Sequence, residues 1–229
     1  RHGATGFYDL IDEGYLPEAI INYIALLGWC PKDNQEIFTL KELEKAFDIS
    51  GISKSPAVFD YDKLSWFNGE YIKAMTPEKF TEVAMPYYKK VFGDKQMPYE
   101  KFAAILQKRT TQLTQIPEML DFFAELPSYT KELFVNKKSK TNLENSPVVL
   151  KEAYDRLKAM PEWNETSIHD CLINMAVEKE LKNGTVMWPV RIAAAGKTVT
   201  PGGAVEILDI LGRDESLARL EKGMAILAE

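Results

Sequence analysis

Apolar residues in this chain recur at helical spacing almost from end to end, and nowhere with the sustained alternation that strands require. Leu16, Ile20, Ile21, Ile24 and Leu27 make one stripe, with Pro17 at a first helical position and Gly28 just past the end. Thr39 followed by Glu42 spells a capping box, with Leu40, Leu43 and Phe47 continuing the pattern. Thr76-Pro77 opens another stripe through Phe80, Val83 and Ala84, and Phe102, Ile105, Leu106 and Leu113 predict the next helix. Ser146-Pro147 predicts a start ahead of Leu150, Ala153, Tyr154 and Leu157. Ser167 reads as the cap before Ile168, Cys171, Leu172 and Met175, with Asn183-Gly184 as the stop. Pro189 falls in the first turn of a short alanine-rich helix ending at Gly196, and Asp214 caps a last helix through Leu217, Leu220 and Leu227. The fold class is therefore mainly α.

Two seams interrupt the pattern. Near Tyr71–Thr76 an aromatic stretch gives way to a freshly capped helix, and the polar run from Val135 to Pro147 reads as a hinge or exposed loop. The 229 residues fit one large domain or two to three small helical ones. No apolar run approaches the ~20 residues of a membrane span, and no signal peptide opens the chain. The chain opens at Arg1 rather than Met, which is expected of a piece cut from a longer protein, the alternative being a removed tag or clipped initiator.

Chemistry is scarce. Two cysteines, Cys30 and Cys171, exclude a disulfide framework or a cysteine-built zinc site. Two histidines, His2 and His169, leave little for a metal cluster or a histidine-based triad. Glu178 and Glu180 read as a solvated face, and Cys171 as core. No phosphate-cradling glycine loop follows a strand; Gly202-Gly203 is a turn signal. No catalytic residues and no metal ligands are assigned. The net charge of −6 argues mildly against nucleic acid, although a total does not say where charges lie.

Polar clusters offer more to a binding partner. Gln107 to Gln112 carry dense hydrogen-bonding groups, including Lys108 and Arg109, and Lys137, Lys138 and Lys140 make a basic loop whose other reading is plain solubility. Arg191 is the single charge in the run V-M-W-P-V-R-I-A-A-A-G. A lone guanidinium in such a segment must pair internally or serve a ligand.

At these residues the sequence resembles the C-terminal part of the bacterial-type glutamyl-tRNA synthetases, class I aminoacyl-tRNA synthetases. The resemblance runs through R-H-G-A-T at Arg1, G-Y-L-P-E-A-I-I-N-Y-I-A-L-L-G-W at Gly14–Trp29 and S-K-S-P-A-V-F-D at Ser53–Asp60. It continues through K-L-S-W-F-N-G-E-Y-I at Lys63–Ile72, P-V-R-I-A-A-A-G, Thr198–Pro201 and I-L-D-I-L-G-R-D at Ile207–Asp214. It implies a helical stem-contact domain followed by a two-part α-helical anticodon-binding cage. Residues 1–73 would hold the end of the K-M-S-K-R-like signature, Arg1 being its last residue, and the stem-contact or linker domain. Residues 74–143 and 144–229 would be the two anticodon-binding subdomains.

The resemblance further implies that the parent ligates glutamate to tRNA(Glu) with ATP and Mg2+, and that this piece alone is inactive, holding no cofactor. Arg191 sits where the family places an Arg on the first anticodon base, and Thr200 and Pro201 where a loop meets the first and middle bases. This sequence departs from relatives by carrying Gly202, Gly203 and Ala204 where bulky apolar residues can stand. Arg109 aligns with the Arg that senses the third base and favours glutamate over glutamine tRNA. Lys108, Lys137, Lys138 and Lys140 are candidate backbone contacts. The expected setting is a cytoplasmic monomer with tRNA(Glu) as partner and no membrane. A competing reading is a helical protein–protein adaptor using the aromatics around Trp66 and Phe67.

Overall fold

A computed structural model of the chain describes residues 6–54 and 56–229; Arg1 and Ser55 lie outside the described residues. The first helices are α1 (Phe7–Asp12), α2 (Pro17–Gly28), α3 (Leu40–Ala46), α4 (Tyr61–Ala74), α5 (Pro77–Phe92) and α6 (Tyr99–Leu106). They are followed by α7 (Ile116–Ala124), α8 (Asn145–Ala159), α9 (Glu165–Glu178), α10 (Asn183–Ala195), α11 (Ala204–Leu211) and α12 (Arg213–Ala228). Extended pairing among the described residues amounts to two isolated bridges, Trp29 with Ile52 and Asn136 with Thr141. The mainly α expectation holds. No described helix is long and apolar enough to cross a membrane.

The chain packs as two units, one of Arg1–Asp94 with Leu106–Pro117, the other of Lys95–Ile105 with Glu118–Glu229. In the first, α2 lies on α4. Pro17 stands at the start of α2 as its spacing predicts, but the buried face is Ala19, Ile20, Asn22 and Tyr23. Ile21 and Ile24, expected inside, are 39% and 48% exposed. The reason is Asn22. Its amide donates to Glu36 O, and its Oδ1 accepts from Phe38 N–H and the Tyr71 hydroxyl. A polar side chain hydrogen-bonded at both its amide nitrogen and its oxygen can occupy the core, so the stripe turns about it. Burial pushes the Tyr71 phenol up to about 12, so it keeps its single proton, which Asn22 Oδ1 and Phe38 O share.

Asn68 works likewise on α4. It accepts from Leu16 N–H and donates to the carbonyls of Gly14 and Thr111, each such bond worth about 1 kcal/mol net and more if left orphaned. Its neighbour Phe67 is core, whereas Trp66 is partly exposed beneath the Lys63 ammonium, 4.5 Å from the ring. The aromatic stretch is thus half interior, which weakens the adaptor reading. Leu113 lies in a 3-10 turn, Leu113–Gln115, instead of extending the helix ending at Leu106, because Thr110 and Arg109 N–H groups fold back on Leu106 O.

In the second unit α10 packs against α8, α11 and α12. Ala193, Ala194 and Ala195 are fully buried, and such small side chains let neighbouring helices approach closely. Gly196 ends the helix at φ +64°; a Cβ there would stand 2.9 Å from the Tyr129 ring, so only glycine fits both demands. Three boundaries differ from the sequence pattern. Asn164, not Ser167, caps α9, its Oδ1 accepting from Ser167 N–H. Asn183-Gly184 begin α10 instead of stopping α9, which closes through Glu180 at φ +53° and the bond from Leu181 N–H to Ala176 O. Pro189 therefore falls inside α10. Gly212 rather than Asp214 precedes α12.

Candidate nucleic-acid interface

Arg191 projects from α10 in the second unit. Its Nη1 donates to Thr200 Oγ1 at 2.7 Å and its Nη2 to Thr198 O at 3.0 Å. Its guanidinium carbon lies 4.7 Å from the centroid of the Trp188 ring, one helical turn earlier. The sequence posed two choices for this lone charge, internal pairing or ligand service. The geometry shows the internal pairing and leaves the side chain partly exposed.

Thr200 is 8% exposed and Pro201 is buried. The Thr200 hydroxyl gives its only proton to Gly202 O at 2.7 Å, so a lone pair faces Arg191. The loop therefore offers its polar edge largely through the guanidinium it holds.

Arg191 and Trp188 line a cleft of about 310 Å³ together with Ser139, Gly184 and the start of α11 at Gly203–Ala204. Ser139 belongs to the basic segment. The 135–147 run, read as a hinge or exposed loop, begins as an exposed turn closed by the bridge between Asn136 and Thr141. Asn136 Oδ1 accepts from Ser139 N–H, and Thr185 on α10 donates to Ser139 O at 2.7 Å. Lys137, Lys138 and Lys140 are exposed on this turn, Lys140 at φ +55°. A larger cleft, about 440 Å³, lies between the start of α8 and the end of α9; its Glu152 and Lys179 are already paired and it holds none of the predicted residues.

Lys108 and Arg109 belong to the other unit, just past α6. Most of the neighbouring donors are structural. Gln107 Nε2 caps the end of α4 through Ile72 O and Met75 O, and the buried Thr110 hydroxyl donates to Leu106 O. Lys108 and Arg109 remain exposed. Among the described residues no three His, Cys, Asp or Glu side chains gather as a metal site. His169 faces Asp170, and Glu178 pairs with Arg156.

Residues 79–224 match the family described as the anticodon binding domain. The chain belongs to the anticodon-binding-domain family. Residues 3–66 match a second description, the catalytic domain of class I tRNA synthetases (E and Q). The chain is 50% identical over 224 residues to a glutamate–tRNA ligase of Clostridium kluyveri, covering 98% of this chain and 46% of that protein. It is 46% identical to another from Clostridium novyi, covering all of this chain and 48% of the relative. The chain thus spans about half the length of these relatives. A crystal structure of a glutamate tRNA ligase from Elizabethkingia meningosepticum, in complex with its amino acid, superposes with a TM-score of 0.80 at 29% identity, covering 97% of this chain and 43% of the other.

Anticodon-binding-domain membership places Arg109, the Lys137–Lys140 turn and the Arg191–Thr200 pair inside one matched region. Trp188, which the sequence pattern did not single out, lines the cleft beside Arg191. Its spacing three residues before Arg191 was legible, since such pairs share a helix face.

Proposed function

We propose that this chain reads the anticodon loop and stem of tRNA(Glu) as part of a glutamate–tRNA ligase. The observation that carries the reading is the Arg191 fork, held over the Trp188 ring at a partly exposed cleft within an anticodon-binding domain. Anticodon bases are splayed from a single-stranded loop, where they can be stacked and hydrogen-bonded along their Watson–Crick edges. A guanidinium supplies both a planar face and a fork of donors.

In this reading Arg191 contacts the first anticodon base and Thr200 with Pro201 shapes the loop behind it. The exposed Lys137, Lys138 and Lys140 attract phosphates, which a local basic turn can do despite the chain's charge of −6. Lys108 does the same beside Arg109. The parent reaction joins glutamate to tRNA(Glu) using ATP and Mg2+. The described residues offer no donor set for that metal, so no step is assigned to it in this chain.

Glutamate and glutamine anticodons differ at their third base, and we assign that choice to Arg109. The test is equilibrium binding of the chain to transcripts of the two tRNAs. The chain is expected to prefer the glutamate tRNA by about 10-fold, within the 1–3 kcal/mol of a good base contact, and Arg109→Gln is expected to erase the preference. A preference that survives Arg109→Gln places the choice elsewhere.

A further inference from the structure

We propose that Trp188 is the positioning residue for Arg191: its indole is a fixed plate that orients the guanidinium before RNA arrives. The inference rests on the reading of Arg191 as a base contact and adds to it the group that sets that contact's geometry.

The indole is itself immobilised. Trp188 Nε1 donates to Leu133 O at 3.0 Å, in the 3-10 turn Lys131–Phe134 whose Phe134 is fully buried. The Leu133 carbonyl thereby anchors the edge of the ring to that turn. Trp188 and Arg191 stand three residues apart on α10, so both project from one helix face. The ring then meets the guanidinium at 4.7 Å, within cation–π range.

The plate restrains one face of the guanidinium, while Thr200 Oγ1 and Thr198 O hold its Nη1 and Nη2. Thr200 in turn commits its proton to Gly202 O, which leaves it no choice but to accept from Arg191. A long side chain held in this way loses less freedom when it binds, so its hydrogen bonds discriminate better. An alternative role for Trp188 is simple packing, since a half-buried indole fills space between α10 and the 3-10 turn. The two roles separate experimentally.

Trp188→Leu keeps apolar bulk but removes the π face, whereas Trp188→Phe keeps a smaller π face and removes the indole N–H with its fused ring. Two readouts apply: 15N relaxation of the Arg191 Nε–H group in the free chain, and the affinity ratio for synthetic anticodon stem-loop hairpins differing at the first anticodon base. In Trp188→Leu the Nε–H order is expected to fall and the first-base ratio to drop about fivefold, the scale of a partly desolvated cation–π contact. Trp188→Phe is expected to recover most of both. Unchanged Arg191 order in Trp188→Leu would overturn the proposal. So would an equal loss of affinity for every hairpin, which is the signature of packing. If the order falls but the wild-type chain shows no first-base ratio, the positioning stands and the base-reading assignment of Arg191 fails.

Discussion

Arg191→Ala is expected to weaken binding of the chain to a glutamate-anticodon RNA by about 10- to 100-fold and to remove its preference at the first anticodon base, as expected for one well-placed bidentate contact. The loss should be specific. RNA carrying a changed first base already lacks the contact, so its affinity should hardly move. Arg191→Lys should behave much like Arg191→Ala, because an ammonium cannot satisfy Thr200 Oγ1 and Thr198 O as a fork while presenting a plane on Trp188. Filter binding or anisotropy with matched and mismatched hairpins measures the effect. Equal losses across all hairpins would mark Arg191 as part of the scaffold.

The largest stability effect should come from an arginine that faces inward. Arg219 on α12 is 4% exposed, and its Nη1 donates to Phe122 O at 2.7 Å and to Ala194 O at 2.9 Å, while Nε pairs with Glu215. Those two carbonyls lie at the ends of α7 and α10, where the last turn has no intrahelical donors. Arg219→Ala would orphan both in a buried setting and remove the packed stem of the side chain. We expect a cost of about 3 kcal/mol, from about 1–3 kcal/mol for each buried unsatisfied group. For a chain of this size the midpoint should fall by about 10 °C. Thermal unfolding followed by circular dichroism checks it; a shift below about 2 °C would mean the carbonyls find other donors. Because Ala194 lies one turn beyond Arg191, this buried cap also holds the end of the helix that carries Arg191.

How much of this was legible in the residues depends on what each signal measures. Pro17, the Thr39–Glu42 box and Thr76-Pro77 mark helix starts correctly, because capping is local chemistry: Thr39 Oγ1 accepts from Glu42 N–H and Glu42 returns the bond to Thr39 N–H. Asn183-Gly184 misled for a related reason. The first turn of a helix needs no intrahelical acceptors for its N–H groups, so residues that look like breakers are tolerated there. The true stop used Glu180 in the left-handed region, which no glycine announced. The inward turn of α2 around Asn22 was hidden because its three partners come from Glu36, Phe38 and Tyr71, distant in sequence.

The candidate site divides the same way. A charge alone in an apolar run drew attention to Arg191, and the basic character of residues 137–140 was plain. What the pattern could not give is that Ser139 and Arg191 line one cleft, or that Thr200 spends its proton on Gly202. The −6 total pointed mildly away from RNA, since a sum carries no positions.

The central claim is that this chain recognises tRNA(Glu) by its anticodon. The most direct measurement is the affinity of the wild-type chain for a tRNA(Glu) transcript and for the same transcript with only its anticodon exchanged. The expected result is at least a 10-fold preference for the native anticodon, the size of a single well-placed base contact. Equal affinity for both transcripts would contradict it.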